Sequence, residues 1–207
     1  MAQEFVVFGG KSTGSVCVEA ALTIIGAPYR VEAGENHPIN PMRQVPALAL
    51  PTGELMTESA AILIWLADEF PRAGLAPRIG EAARAAYLRW MAFVSAAIYS
   101  LYWIRDEPGR MAADKVHEGV LRARTAERIA ACWEIMEKQI APGRYLLGGS
   151  LSVLDLYVTV VSRWEPQRRR FYQVAPRMGD VVRRVDADPR LAAVWAERFP
   201  FSQGWDG

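Results

Sequence analysis

A chain of 207 residues with 51% hydrophobic and 23% charged residues has the balance of a globular protein, long enough to build a core without disulfides or metal. Its formal net charge of +1 supplies no strong field toward nucleic acid or an acidic membrane surface. Cys17 and Cys132 stand far apart, form no metal-spaced cluster and fall inside apolar helical patterns as small hydrophobes, which suits a reducing compartment. The start Met1-Ala2-Gln3-Glu4 lacks the basic region of a signal peptide, and charges interrupt the apolar stretches. The expectation is a cytoplasmic protein with no transmembrane span.

Glu4 to Phe8 is short, β-branched and aromatic, and Gly9-Gly10 ends it as a buried strand. Gly14 to Ile25 carries Val16, Ala20 and Ile24 at helical spacing, with Gly26 as its stop. Tyr29 to Ala33 alternates as a second strand, which predicts a parallel βαβ unit. Residues 34–42 read as loop, with His37 on its surface. Ala47 to Leu50 and Leu55 to Thr57 flank Pro51-Thr52-Gly53-Glu54, which is hairpin chemistry. Ser59 to Phe70 is an amphipathic helix stopped by Pro71. The order β-α-β-loop-β-β-α predicts one small sheet with helices packed on it.

Residues 71–79 hold Pro71, Gly74 and Pro77 and read as a linker; strand signals nearly vanish after them. Helices are predicted over Glu81–Ile104, Asp114–Ile140, Ser152–Trp164, Pro176–Val185 and Asp188–Phe199. In the last, Asp188 is placed as N-cap and Pro189 at the first helical position. The run Arg168-Arg169-Arg170 reads as a solvated face or helix end, and His117 as a solvated residue in a charged helix.

Three local signals carry chemistry. Pro46, directly before a strand, cannot donate to the ladder. A cis Val45–Pro46 bond would turn the Val45 backbone outward to pair with an extended peptide; a trans bond would only open an edge strand. Ser59 begins a helix whose first N–H groups suit a ligand carboxylate, and Glu58 beside it can accept from an ammonium; alternatively Ser59 only caps its helix. Lys11-Ser12-Thr13-Gly14-Ser15 enters the first helix, where a hydroxyl and the helix terminus could stabilise an anion such as a thiolate; the alternative is simple N-capping.

The run NPMRQVPALALPTGELMTESAAILIWLADEFP closely resembles the glutathione-site segment of the glutathione transferase superfamily. In the second half, Leu151-Ser152-Val153-Leu154-Asp155-Leu156 resembles the family's buried capping box, with Ser152 and Asp155 as its pair. The resemblance implies an α/β thioredoxin-like N-terminal domain over residues 1–73 and an all-helical domain over 80–207 that forms the electrophile pocket. It implies glutathione as co-substrate, no metal, and a homodimer. The γ-glutamyl end would lie on Glu58 and Ser59, the cysteinyl part on Val45 beside Pro46, and the glycyl carboxylate near Arg43 and Gln44. The loop offers neither Tyr nor Cys, so the serine-type classes fit best, with Ser12 as the catalytic hydroxyl and Thr13 or Ser15 as alternatives.

Tyr99, Tyr102, Trp103 and Arg105, with Trp164, are the candidate electrophile pocket, and the tail Phe201 to Trp205 could close over it. The reaction implied is conjugation of the glutathione thiolate to a hydrophobic electrophile. The alternatives are another glutathione-dependent enzyme on the same fold (isomerase, ether-cleaving lyase or disulfide reductase) or a non-catalytic ligand-binding member. No nucleic-acid or membrane partner is expected.

Overall fold

The computed structural model describes residues 4–34, 38–164 and 168–201. Strand β1 (Phe5–Gly9) leads through the Ser12 loop into helix α1 (Ser15–Ile25), and β2 (Tyr29–Ala33) follows. Gly26 ends α1 because its φ of 77° lets its N–H turn back to the Leu22 and Thr23 carbonyls. β3 (Ala47–Ala49) and β4 (Leu55–Thr57) form the hairpin, and α2 (Ser59–Glu69) closes the unit. The sheet order is β2-β1-β3-β4. β1 and β2 run parallel with Phe5 opposite Tyr29, and β1 and β3 run antiparallel with Val7 opposite Leu48. This is the thioredoxin-like arrangement. Among the described residues, turns occupy the space between β2 and β3, with no helix.

The remainder is helical: α3 (Ala83–Phe93), a π-helical segment (Val94–Tyr99), α4 (Ser100–Asp106), α5 (Lys115–Ile140), α6 (Val153–Ser162), α7 (Arg169–Val174), α8 (Pro176–Asp186) and α9 (Ala192–Arg198). The first three join into one rod, broken where Pro108 opens a short 3-10 turn. The predicted linker is anchored: Leu75 is buried and its carbonyl accepts the Val153 N–H at 2.8 Å, at the start of α6. The Ser152–Asp155 pair lies there too. Asp155 accepts from the Ser152 N–H at 2.8 Å, the Ser152 hydroxyl at 2.6 Å and the Leu146 N–H at 2.8 Å.

A continuous core runs through both halves. Val7, Val16, Leu48 and Leu63 from the sheet-bearing half join Tyr87, Ile98, Trp133 and Leu154 from the helices. Each such side chain contributes about 1.5–3 kcal/mol on burial, so the halves share their hydrophobic stabilisation. No helix among the described residues is long and apolar enough to cross a membrane.

Two expectations are corrected. The last helix begins at Ala192, not Asp188: the Asp188 carboxylate accepts from the Arg190 N–H at 3.0 Å and binds the Arg190 guanidinium, which makes a turn instead. Arg168 is fully buried, not solvated; it binds Asp186, eighteen positions on, and the Thr159 carbonyl. Arg169 and Arg170 are exposed, on the short α7 that periodicity did not reveal.

Candidate functional site

A cleft of about 780 Å³ opens between the two halves. Its floor is the Ser12-Thr13-Gly14 turn at the entrance to α1. One side carries Arg43, Gln44, Val45 and Pro46, with Glu58 and Ser59 at the start of α2. The opposite side comes from the rod: Ser95, Tyr99, Tyr102 and Trp103, backed by Trp164.

The backbone of this cleft is shaped for something other than packing. Five described non-glycine residues have positive φ, and three of them, Ser12 (59°), Arg43 (54°) and Glu58 (67°), line it. Each left-handed residue costs about 1–3 kcal/mol and persists only where its surroundings impose it. Those surroundings are visible. Ser12 donates its N–H to the Arg198 carbonyl at 2.8 Å and its carbonyl accepts the Trp164 indole N–H at 2.8 Å. Asn40, buried, folds the Arg43 turn: its Nδ2 donates to the Gln44 carbonyl at 2.8 Å, its Oδ1 accepts the Met42 N–H, and its carbonyl accepts the Arg43 N–H. The Val45–Pro46 bond is cis.

The three hydroxyls of the first loop are placed differently. Ser12 is exposed at the cleft, and its hydroxyl makes no hydrogen bond among the described residues. Thr13 also faces the cleft, but its hydroxyl donates to the Gly10 carbonyl at 2.9 Å and accepts from the Ser15 N–H. Ser15 does not line the cleft; it is fully buried and donates to the Glu19 carboxylate at 3.1 Å. Ser59 does not cap its own helix with its side chain: its hydroxyl donates to the Tyr157 hydroxyl of α6 at 3.1 Å.

On the helical side, Tyr99, Tyr102, Trp103 and Trp164 meet at the cleft, with ring centroids 4.6 Å apart for Tyr99–Trp164 and 5.2 Å for Tyr102–Trp164. Arg105 is turned away from it. Its guanidinium lies 4.4 Å from the Tyr102 ring centroid and donates to the Trp164 carbonyl, so it braces the wall from behind. The charged groups at the rim are Asp106, Glu107 and Arg110. Phe201 packs over the Arg163 guanidinium at 3.9 Å; the rest of the expected tail, like His37, falls outside the described residues. Sequence reasoning missed Asn40 and Tyr157. The Asn-Pro pair could have flagged Asn40, whereas Tyr157 lies 98 positions from Ser59 with no local signal.

Burial pushes the Tyr99 hydroxyl far above the usual phenol range, and does the same to Tyr157, so both are neutral donors. Glu19, below the loop, is raised by burial and pulled back by Arg198. Among the described residues, no group of His, Cys, Asp or Glu is placed to hold a metal ion.

Residues 18–69 match the model of the glutathione S-transferase N-terminal domain. The chain is 29% identical over 199 residues to the uncharacterized GST-like protein YncG of Escherichia coli K12, covering 91% of this chain and 95% of that one. It is 25% identical over 136 residues to the glutathione S-transferase GstA of Escherichia coli O157:H7, covering 65% and 64%. The crystal structure of a glutathione transferase homolog from Sulfitobacter, with bound glutathione, superposes with a TM-score of 0.85 at 26% identity, covering 94% and 98%.

Proposed function

We propose that this chain, a member of the glutathione S-transferase superfamily, binds glutathione in the cleft between its halves and activates the thiol for attack on an apolar electrophile. The observation that carries the reading is the convergence of Ser12, Arg43 and Glu58, all left-handed, with the cis Val45–Pro46 turn on one cleft. Glutathione offers a matching group to each: an ammonium for Glu58, a peptide edge for the Val45 backbone, and a glycyl carboxylate for Arg43 and Gln44. Ser59 and the N-terminus of α2 take the γ-glutamyl carboxylate.

The thiol then lies over the entrance to α1. A free thiol has a pKa of about 8.5, and lowering it by about two units needs roughly 2.7 kcal/mol of preference for the thiolate. The Ser12 hydroxyl as donor supplies roughly 2.7–4 kcal/mol if aimed in a dry site, and the helix terminus adds about 0.3–1 kcal/mol. The thiol proton leaves to solvent. The sulfur lone pair forms the S–C bond, and the leaving group departs with the electron pair of the bond that breaks. Tyr102, Trp103 and Trp164 supply an apolar, flat wall for the electrophile. The proposal extends, on the strength of the family resemblance, to a cytoplasmic homodimer acting in detoxification.

Calorimetric titration with glutathione tests it, with Glu58→Ala as comparison. A hydrogen bond to a charged group is worth about 1.5–3 kcal/mol, so the variant should bind roughly 10–150-fold more weakly. A wild-type protein that fails to bind millimolar glutathione would overturn the reading in favour of a ligand carrier. If glutathione binds but no electron-poor aryl halide is conjugated, the chemistry moves to isomerisation, ether cleavage or disulfide reduction.

A further inference from the structure

Given that the cleft holds glutathione, we propose that the Tyr99 hydroxyl, contributed by the helical half, is a second hydrogen-bond donor to the glutathione thiolate, acting opposite Ser12.

Gly14 has a φ of −64° and a ψ of −12°, open to any residue, so its backbone does not call for glycine. Space does. A Cβ at Gly14 would lie 2.1 Å from the Tyr99 hydroxyl oxygen and 3.0 Å from the ring carbon that bears it. Tyr99 therefore occupies the volume a side chain would fill, and its hydroxyl stands directly over the residue that opens α1. That is where the loop hydroxyls and the helix terminus converge.

The ring is held there. Trp164 packs edge-on at 4.6 Å and Tyr157 at 6.2 Å, and Trp164 is itself tied to the Ser12 carbonyl. A donor locked by packing loses little freedom when its acceptor arrives. Tyr99 also ends the π-helical segment Val94–Tyr99, a departure from α geometry that recurs at functional sites.

The hydroxyl has no acceptor among the described residues, whereas neighbouring Tyr157 is bonded to Ser59. Half-buried at the cleft wall, Tyr99 leaves that donor open to an acceptor arriving in the cleft. Burial keeps it protonated through the neutral range, so it can only donate to an anion placed before it. Seen this way, Tyr99 belongs with the sulfur-binding groups more than with the electrophile wall.

The test is an ultraviolet titration of the thiolate of bound glutathione, with calorimetric affinity measured in parallel, on wild type, Tyr99→Phe and Gly14→Ala. Tyr99→Phe keeps the ring and removes only the donor. Its bound thiol should titrate about one to two pKa units higher than in wild type, from the strength of a hydrogen bond to a charged acceptor. Glutathione affinity at a pH where the thiol is protonated should stay within about threefold. Gly14→Ala should raise the thiol pKa with Tyr99 still present, because the new methyl displaces the hydroxyl. An unchanged thiol pKa in Tyr99→Phe, with glutathione bound as in wild type, overturns the assignment. Absence of glutathione binding by wild type overturns the functional reading itself, a result distinct from the first.

Discussion

Arg198→Ala tests whether the loop beneath the cleft is held by a buried ion pair. Glu19 is 1% exposed, and its carboxylate receives the Arg198 guanidinium at 2.8 and 3.3 Å and the Ser15 hydroxyl at 3.1 Å. Removing one partner of such a pair strands the other, at about 3–5 kcal/mol. Protonation of Glu19 caps the loss, so about 3 kcal/mol at pH 7.5 is the expectation, a Tm fall of roughly 6–12 °C for a chain of this size. The sign of the pH effect follows. In the variant the folded pKa of Glu19 rises further above its unfolded value near 4.3. Between the two values the folded state binds more protons, so the deficit shrinks as pH falls, and at pH 5.5 protonation is cheaper by about 2.7 kcal/mol. Glu19→Gln added to Arg198→Ala should recover most of the loss at pH 7.5. Scanning calorimetry at both pH values reads all of this. A loss below about 1 kcal/mol at pH 7.5, equal losses at the two pH values, or no recovery in the double variant would refute the reasoning.

Two further outcomes follow from other buried groups. Burial pushes Asp155 up to about 6 against three hydrogen bonds that pull it down. Its folded pKa exceeds the unfolded one, so wild type should lose about 2–3 kcal/mol relative to Asp155→Asn between pH 4 and pH 7; urea unfolding with the opposite trend would sink this. Cys17 and Cys132 are both fully buried free thiols with raised pKa values, so a disulfide reagent should titrate neither in the native protein and both after denaturation. Rapid reaction at Cys17 in the folded state would contradict that and reopen an enzyme-thiol route.

What the sequence made legible was local. Gly26, Pro71 and Pro108 mark ends because they act through their own φ angles and missing donors, and the period-2 and helical patterns of the first 70 residues reflect one buried face each. Val45, Pro46, Glu58 and Ser59 carried local signals within one turn–hairpin–helix run, the family resemblance added Arg43 and Gln44, and all six line the cleft. Pairings across the chain were not. Arg168 looked solvated because its partner Asp186 sits on another helix. Asp188 has the chemistry of an N-cap, yet Arg190 competes for the same carboxylate and delays the helix. The sequence puts Ser12 first and leaves Ser15 as an alternative; which one faces inward depends on Glu19, a helical turn away, and on Arg198 at the far end of the chain.

The anchoring of Ser12 bears on how such a protein can be recombined. Both backbone groups of this residue are engaged by the helical half, through the Arg198 carbonyl and the Trp164 indole. The Ser12 loop is thus encoded near the start of the chain but moulded by residues near its end. A chimera grafting this sheet onto a relative's helices would inherit Val45 and Glu58 intact, yet would lack the template for Ser12 unless the graft also supplied an indole and a free carbonyl at matching positions. Shuffled halves should therefore keep the Val45 and Glu58 turns and lose the backbone setting of Ser12, so that the helical wall of the cleft and the shape of its floor are exchanged together.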